Sequence, residues 1–265
     1  MTFYEKLDQA VTDNNSLLCV WFDPDINKIP RWAEGIYDFF VWIADQTHDL
    51  VCAFKPQIAH FAAVEAEDQL KKLIQYIKGR YPNVPVILDH KRWDIGTTAE
   101  HYATEAFERY HTDAATVSPY LWDDSITPYL KYVDKGVIVL CRTSNQSGWR
   151  FQNLIDSTTG ETLYQNVARI AATEWNTSNQ IALVVGATFP RELAEVRKII
   201  GDKVPLLVPW IWAQWGDIEA SVMAWKNSQG RWMIINSSRD ILYPKNWRNS
   251  REVALETRDT INKFR

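Results

Sequence analysis

The 265-residue sequence predicts an α/β fold, a single (β/α)8 barrel of the TIM type spanning 1–265. Three observations predict it. Eight short apolar runs recur along the chain, most of them continuous rather than alternating, as strands covered on both faces require. Helix-like segments separate them. The length matches the roughly 250 residues of one such barrel. An open doubly wound sheet is the alternative packing of the same alternation.

The strands follow in order. "LLCVWFD" (17–23), "LVCAFKP" (50–56), "VPVILDHK" (84–91) and "AATVSPY" (114–120) form the first half. "GVIVLCRTS" (136–144), "IALVVGAT" (181–188), "VPLLVPW" (204–210) and "RWMIINSS" (231–238) form the second. Among the intervening segments, "AEDQLKKLIQYIKGRY" sets Leu70, Leu73, Ile74 and Ile77 on one face at helical spacing. "PRELAEVRKIIGDK" opens at Pro190 and closes at Gly201, the start and stop chemistry of a helix. Further helices are expected over 98–111, 161–175 and 217–227. No linker, low-complexity segment or short repeat interrupts the pattern.

Composition narrows the function classes. A formal net charge of −4, with Lys and Arg scattered, gives no electrostatic reason for a nucleic-acid partner. No apolar run approaches the roughly 18 residues of a membrane helix, and "MTFYEKLDQAVTDNN" has no secretory apolar region. Cys19, Cys52 and Cys141 lie inside apolar runs, which points to reduced core thiols and a cytoplasmic setting.

Barrel enzymes carry their chemistry at the C-terminal ends of the strands. Polar residues there are Asp23, Lys55, Asp89, Lys91, Asp94, Ser144, Gln214 and Arg239. The densest group is "LDHKRWDIGTT" (88–98). Period-two alternation puts Asp89 and Lys91 on one face and His90 on the other, where packing is expected. An ammonium between carboxylates keeps its proton at neutral pH and is held in place. That arrangement serves either a proton donor to a carbanion or a salt-bridge network at the barrel mouth, and spacing alone leaves both open.

Asp-x-Lys-x-x-Asp after a strand, with "FKPQIA" (54–59) one strand earlier, resembles the orotidine 5′-phosphate decarboxylase family. "FDPD" (22–25), "SPYLWDDSITPYL" (118–130), "LCRTSN" (140–145), "VVGATFP" (184–190) and "INSSRDILY" (235–243) are similar to its longer bacterial form. The resemblance runs in order from about residue 17 to 243, at every strand end. It implies decarboxylation of orotidine 5′-monophosphate to uridine 5′-monophosphate, without metal or organic cofactor. It implies Lys91 as proton donor to C6, with Lys55, Asp89 and Asp94 completing a charged array. Asp23 would bind ribose hydroxyls, Ser144 the pyrimidine edge, and Gln214 and Arg239 the phosphate. A homodimer is implied, with Asp94 and Thr98 reaching the neighbouring site. A related sugar-phosphate barrel using magnesium would need a further carboxylate near Asp89, where "FKPQ" supplies a lysine. A catalytically silent barrel is the third reading.

Measured against that family pattern, tryptophan stands for glycine at eight positions: 21, 93, 122, 210, 212, 215, 225 and 232. "LVPWIWAQWGD" (207–217) carries three of them in the expected phosphate loop. The chain has ten glycines and thirteen tryptophans, and glycine normally makes up about 7% of residues. A gene in which UGA encodes glycine, read with UGA as tryptophan, gives this pattern. Engineering, a decayed copy and genuine core aromatics are the other sources. Rings are expected to crowd the phosphate loop, and Trp93 to stand beside the charged array. Asp240, after Arg239, puts a negative charge near the expected phosphate.

Overall fold

The structure, a computed structural model, describes residues 1–209, 222–223, 226–246 and 248–265. All eight expected strands are present: β1 Leu18–Phe22, β2 Ala53–Pro56, β3 Ile87–Arg92, β4 Ala114–Val117, β5 Gly136–Arg142, β6 Ile181–Val185, β7 Leu206–Pro209 and β8 Met233–Ser237. They form one parallel sheet in the order β2-β1-β8-β7-β6-β5-β4-β3. Single parallel bridges, Phe54 to Val86 and Gln57 to Asp89, join the two outer members. The sheet therefore curls into a barrel, and the open doubly wound alternative is excluded.

The strands are buried on both faces because they are almost wholly apolar; β6, for instance, has no exposed residue. Helix Glu67–Arg80 buries Leu70, Leu73, Ile74 and Ile77, the face read from spacing. Helix Pro190–Ile200 begins on Pro190 and ends at Gly201, whose φ of 63° few other residues adopt. Two segments expected as plain helix finish differently. Gly96–Thr104 and Leu163–Ile170 each run on into a π-turn, Glu105–Arg109 and Ala171–Trp175. The expected helix over 217–227 lies largely outside the described residues. Cys19, Cys52 and Cys141 are buried free thiols, as expected.

Gly186 ends β6 against β5. A Cβ there would meet the Ser144 backbone at 2.7 Å, so only glycine lets the two strand ends come this close.

Of the eight tryptophans expected to stand for family glycines, Trp21, Trp93, Trp122 and Trp232 are described. Trp232 has φ of 62°, and Trp122 has φ of 59° with ψ of −133°. The latter pair lies outside the small left-handed region open to L-residues, in territory that only glycine occupies without strain. Alanine normally outperforms glycine by roughly 0.5–1 kcal/mol inside regular structure. At position 122 the order reverses: Trp122→Gly is expected to exceed Trp122→Ala by about 1–3 kcal/mol in urea unfolding. Both variants lose the same indole contact with Trp175, 5.4 Å between ring centres, so their difference isolates the backbone.

Candidate active site

The charged array is built from two neighbouring strands. Lys55 is the third residue of β2 and Asp89 the third of β3, both pointing into the barrel and nearly fully buried, at 2% and 1% exposure. Lys55 Nζ donates to Asp89 Oδ2 in a very short contact. Lys91 Nζ donates to Asp89 Oδ1 at 2.5 Å, and Thr116 Oγ1 of β4 donates to the same oxygen at 2.8 Å. Both carboxylate oxygens are thus capped by ammonium groups. A metal cation at Asp89 would meet two like charges.

The backbone around Lys91 is not simple strand. Its φ is +49°, and the β3–β4 register shifts between Leu88 and Arg92. The Thr116 hydroxyl accepts from the backbone N–H groups of His90 and Lys91, both at 3.1 Å, and so holds this bulge. The bend leaves the Lys91 side chain partly exposed while tethered to a buried carboxylate. A non-glycine residue at positive φ is costly, and such strain gathers at functional positions.

Electrostatics follow from burial and pairing. Burial works to raise the Asp89 carboxyl, but Lys55 and Lys91 outweigh it and hold the group below the ordinary carboxylate range. Burial pulls the Lys55 ammonium down from its usual value, against the attraction of Asp89. Asp23 at the end of β1 is raised by burial and accepts a very short hydrogen bond from Ser238 Oγ.

His90 faces away from the array, as alternation required. Its Nδ1–H donates to the Thr116 carbonyl at 2.6 Å, and its ring meets Tyr129 edge-on, 5.8 Å between centres. Burial pushes its imidazole down to about 3. The unfolded chain takes up this proton below about 6.5 while the native chain does not, so stability falls as pH drops through the window between them. The loss is expected to be about 2 kcal/mol between pH 6.5 and 5, above the range in which most carboxylates titrate. Urea midpoints at those pH values measure it, and His90→Asn is expected to flatten the decline.

Lys55, Asp89, Lys91 and Ser144 line one cavity of about 360 Å³, shared with Trp21, Thr116, Thr143, Asn145 and Asn236 and walled by Leu140, Val184, Leu207 and Pro209. The other expected site residues lie elsewhere. Asp23 is tied to the β8 loop. Arg239 is exposed and begins the short helix Arg239–Leu242, followed by exposed Asp240. Asp94 and Thr98 are not among the residues lining this cavity; Asp94 is partly exposed and accepts from the Ile95 N–H at 2.8 Å, while Thr98 is exposed on helix Gly96–Thr104. Gln214 lies outside the described residues.

Trp93, expected beside the array, does not line the cavity that holds it. Its ring, 48% exposed, packs on Tyr120 at 5.3 Å and lines a second, apolar cavity of about 500 Å³ with Trp122 and Phe151. The aromatic beside the array is Trp21, whose ring centre is 3.7 Å from Lys55 Nζ. Sequence reasoning also missed Thr116, the one polar residue of β4, and Asn236, which with Ser237 ends the apolar run of β8; a polar side chain in an apolar strand was the only signal of either. Buried Arg142 was missed too. It donates to Gln152 Oε1 at 3.1 Å and the Thr143 carbonyl at 2.9 Å, clamping the loop that carries Ser144.

Fold and site together define a (β/α)8-barrel enzyme built on a buried lysine–aspartate–lysine array at the C-terminal ends of β2 and β3. Residues 16–252 match the model of the orotidine 5′-phosphate decarboxylase / HUMPS family. The chain belongs to that family. It is 58% identical to orotidine 5′-phosphate decarboxylase of Dechloromonas aromatica and 57% identical to that of Cupriavidus necator, covering all of this chain and 100% and 99% of those proteins. Among solved structures it is similar to OMP decarboxylase of Leishmania donovani, with a TM-score of 0.87 at 35% identity, covering all of this chain and 98% of that one.

Proposed function

We propose that this chain decarboxylates orotidine 5′-monophosphate to uridine 5′-monophosphate and carbon dioxide, with Lys91 as the proton donor. The observation that carries the reading is Asp89, held ionised between two lysines at the wall of a cavity of about 360 Å³. Loss of carbon dioxide breaks the bond from C6 to the carboxyl carbon and leaves the electron pair in the ring plane, where the π-system cannot spread it. Fixed positive charge at that point stabilises the developing anion. Lys91 Nζ supplies the charge and then a proton, forming the C6–H bond. Asp89, close to the substrate carboxylate, adds a repulsion relieved on its departure, which is the smaller effect. Binding of the remote phosphate, by Arg239 and Gln214 in this reading, offsets the cost of holding that geometry.

The reading includes a homodimer in which Asp94 and Thr98 complete the neighbour's array and ribose contacts. Its support is the exposed apolar surface around them, including Trp93, Ile95, Tyr120 and Phe151. A solution mass of twice the chain is the expected result. Among the described residues no helix is long and apolar enough to cross a membrane, which accords with action on a dissolved nucleotide.

The assay is the loss of orotidine 5′-monophosphate absorbance on the chain as written and on a version with the eight tryptophans replaced by glycine. Activity confined to the glycine version supports both the decarboxylase reading and a gene in which UGA encodes glycine. Folded proteins inactive in both forms would overturn the decarboxylase reading. In-frame UGA at the eight codons is the expected sequence of the gene, and UGG at them would rule out that origin.

A further inference from the structure

We infer that Trp21 narrows the catalytic cavity on the side of the two lysines, and that a residue of glycine size at position 21 opens that side to substrate. The inference rests on the decarboxylase reading. Trp21 is the fourth residue of β1 and stands in register with Lys55 of β2. Its ring centre lies 3.7 Å from Lys55 Nζ and 5.9 Å from Lys91 Nζ. Lys55 therefore has Asp89 on one side and an indole face on another, and it is almost wholly shielded.

The indole occupies part of the space beside the array that a pyrimidine would use. A proton passes from Lys91 only when the receiving atom is about 2.6–3.2 Å from Nζ. A substrate ring also needs about 3.5–4.0 Å to neighbouring carbon atoms. Together these exceed the 5.9 Å between Lys91 Nζ and the centre of the Trp21 ring, so the indole bars a pyrimidine from the side of Lys91 that faces it. The attraction of the buried ammonium for the ring face holds the indole over the array.

The indole is also poorly matched to its surroundings. Trp21 Nε1 is buried and has no hydrogen-bond partner among the described residues, whereas a buried indole N–H normally finds one. Asn236, 1% exposed and lining the same cavity, has an Oδ1 with no partner among the described residues. A donor and an acceptor are thus both orphaned around one cavity.

The test keeps the other seven glycine-position tryptophans replaced by glycine and compares Trp21 with Trp21→Gly and Trp21→Ala. Two readouts are taken. Reductive methylation with formaldehyde and borohydride, mapped by peptide mass, reports access to Lys55; at least a tenfold faster reaction is expected for Trp21→Gly, and an unchanged rate overturns the inference. Decarboxylation of orotidine 5′-monophosphate is expected to rise at least 100-fold in kcat/KM for Trp21→Gly, with Trp21→Ala between. Activities within threefold of each other overturn the inference while leaving the decarboxylase intact. Faster Lys55 methylation with no decarboxylation in any of the folded proteins upholds the occlusion and overturns the decarboxylase reading instead.

Discussion

Lys91→Ala is expected to lower the decarboxylation rate by about 10⁴-fold or more in the protein whose eight tryptophans are replaced by glycine, without unfolding it. Two separate contributions are lost. Removal of a positioned proton donor costs roughly 10²–10⁴-fold, and removal of a fixed charge facing a developing anion costs roughly 10²–10³-fold. The two overlap, because one ammonium does both, so their product is an upper bound. The Lys91 side chain is partly exposed, and Asp89 keeps Lys55 and Thr116 as partners, so little folding stability goes with it. Single-turnover decay of substrate absorbance at saturating concentration measures the effect, with circular dichroism as the control. A loss below tenfold would remove Lys91 from the proton-transfer step.

Asp89→Ala acts on the fold as well as on the rate. It leaves the Lys55 ammonium buried at 2% exposure with its ion-pair partner gone. Breaking one side of a buried pair costs about 3–5 kcal/mol, a large share of the roughly 5–15 kcal/mol that holds a domain together. Lys55 can limit the damage by releasing its proton, which burial already favours. The destabilisation should therefore be larger at pH 6 than at pH 9, where the neutral amine is more accessible. Urea unfolding at both pH values reads this directly. Lys55→Met combined with Asp89→Ala is expected to recover much of the stability and none of the activity, which separates the structural part of the pair from its chemistry.

The barrel was legible because parallel strands sealed on both faces leave an uninterrupted apolar signature, and each of the eight runs did so. The array was legible for a related reason. Lys55, Asp89 and Lys91 end or interrupt apolar strands, where an unpaired charge is too costly to be incidental. Other parts had no such contrast. Threonine is ordinary in a strand, so Thr116 gave no sign that its hydroxyl would brace the Lys91 bulge. The bulge itself is a matter of backbone dihedral, which residue type at position 91 does not announce. Trp21 and Trp93 read alike in sequence; only the direction of their rings separates the one over Lys55 from the one against Tyr120. The π-turns after Thr104 and Ile170 were invisible because they add a residue to a helical turn without altering which face is apolar.

The two outer strands of the sheet meet only through single bridges at Phe54–Val86 and Gln57–Asp89, and the Lys55–Asp89 pair spans that same junction. Elsewhere the cylinder is sewn by runs of main-chain hydrogen bonds, as between β4 and β5. At this one seam a side-chain rivet stands in for much of the stitching. The charges of the array are therefore also part of the closure. Loosening them should first be felt as faster amide hydrogen exchange along β2 and β3, well before the whole barrel opens.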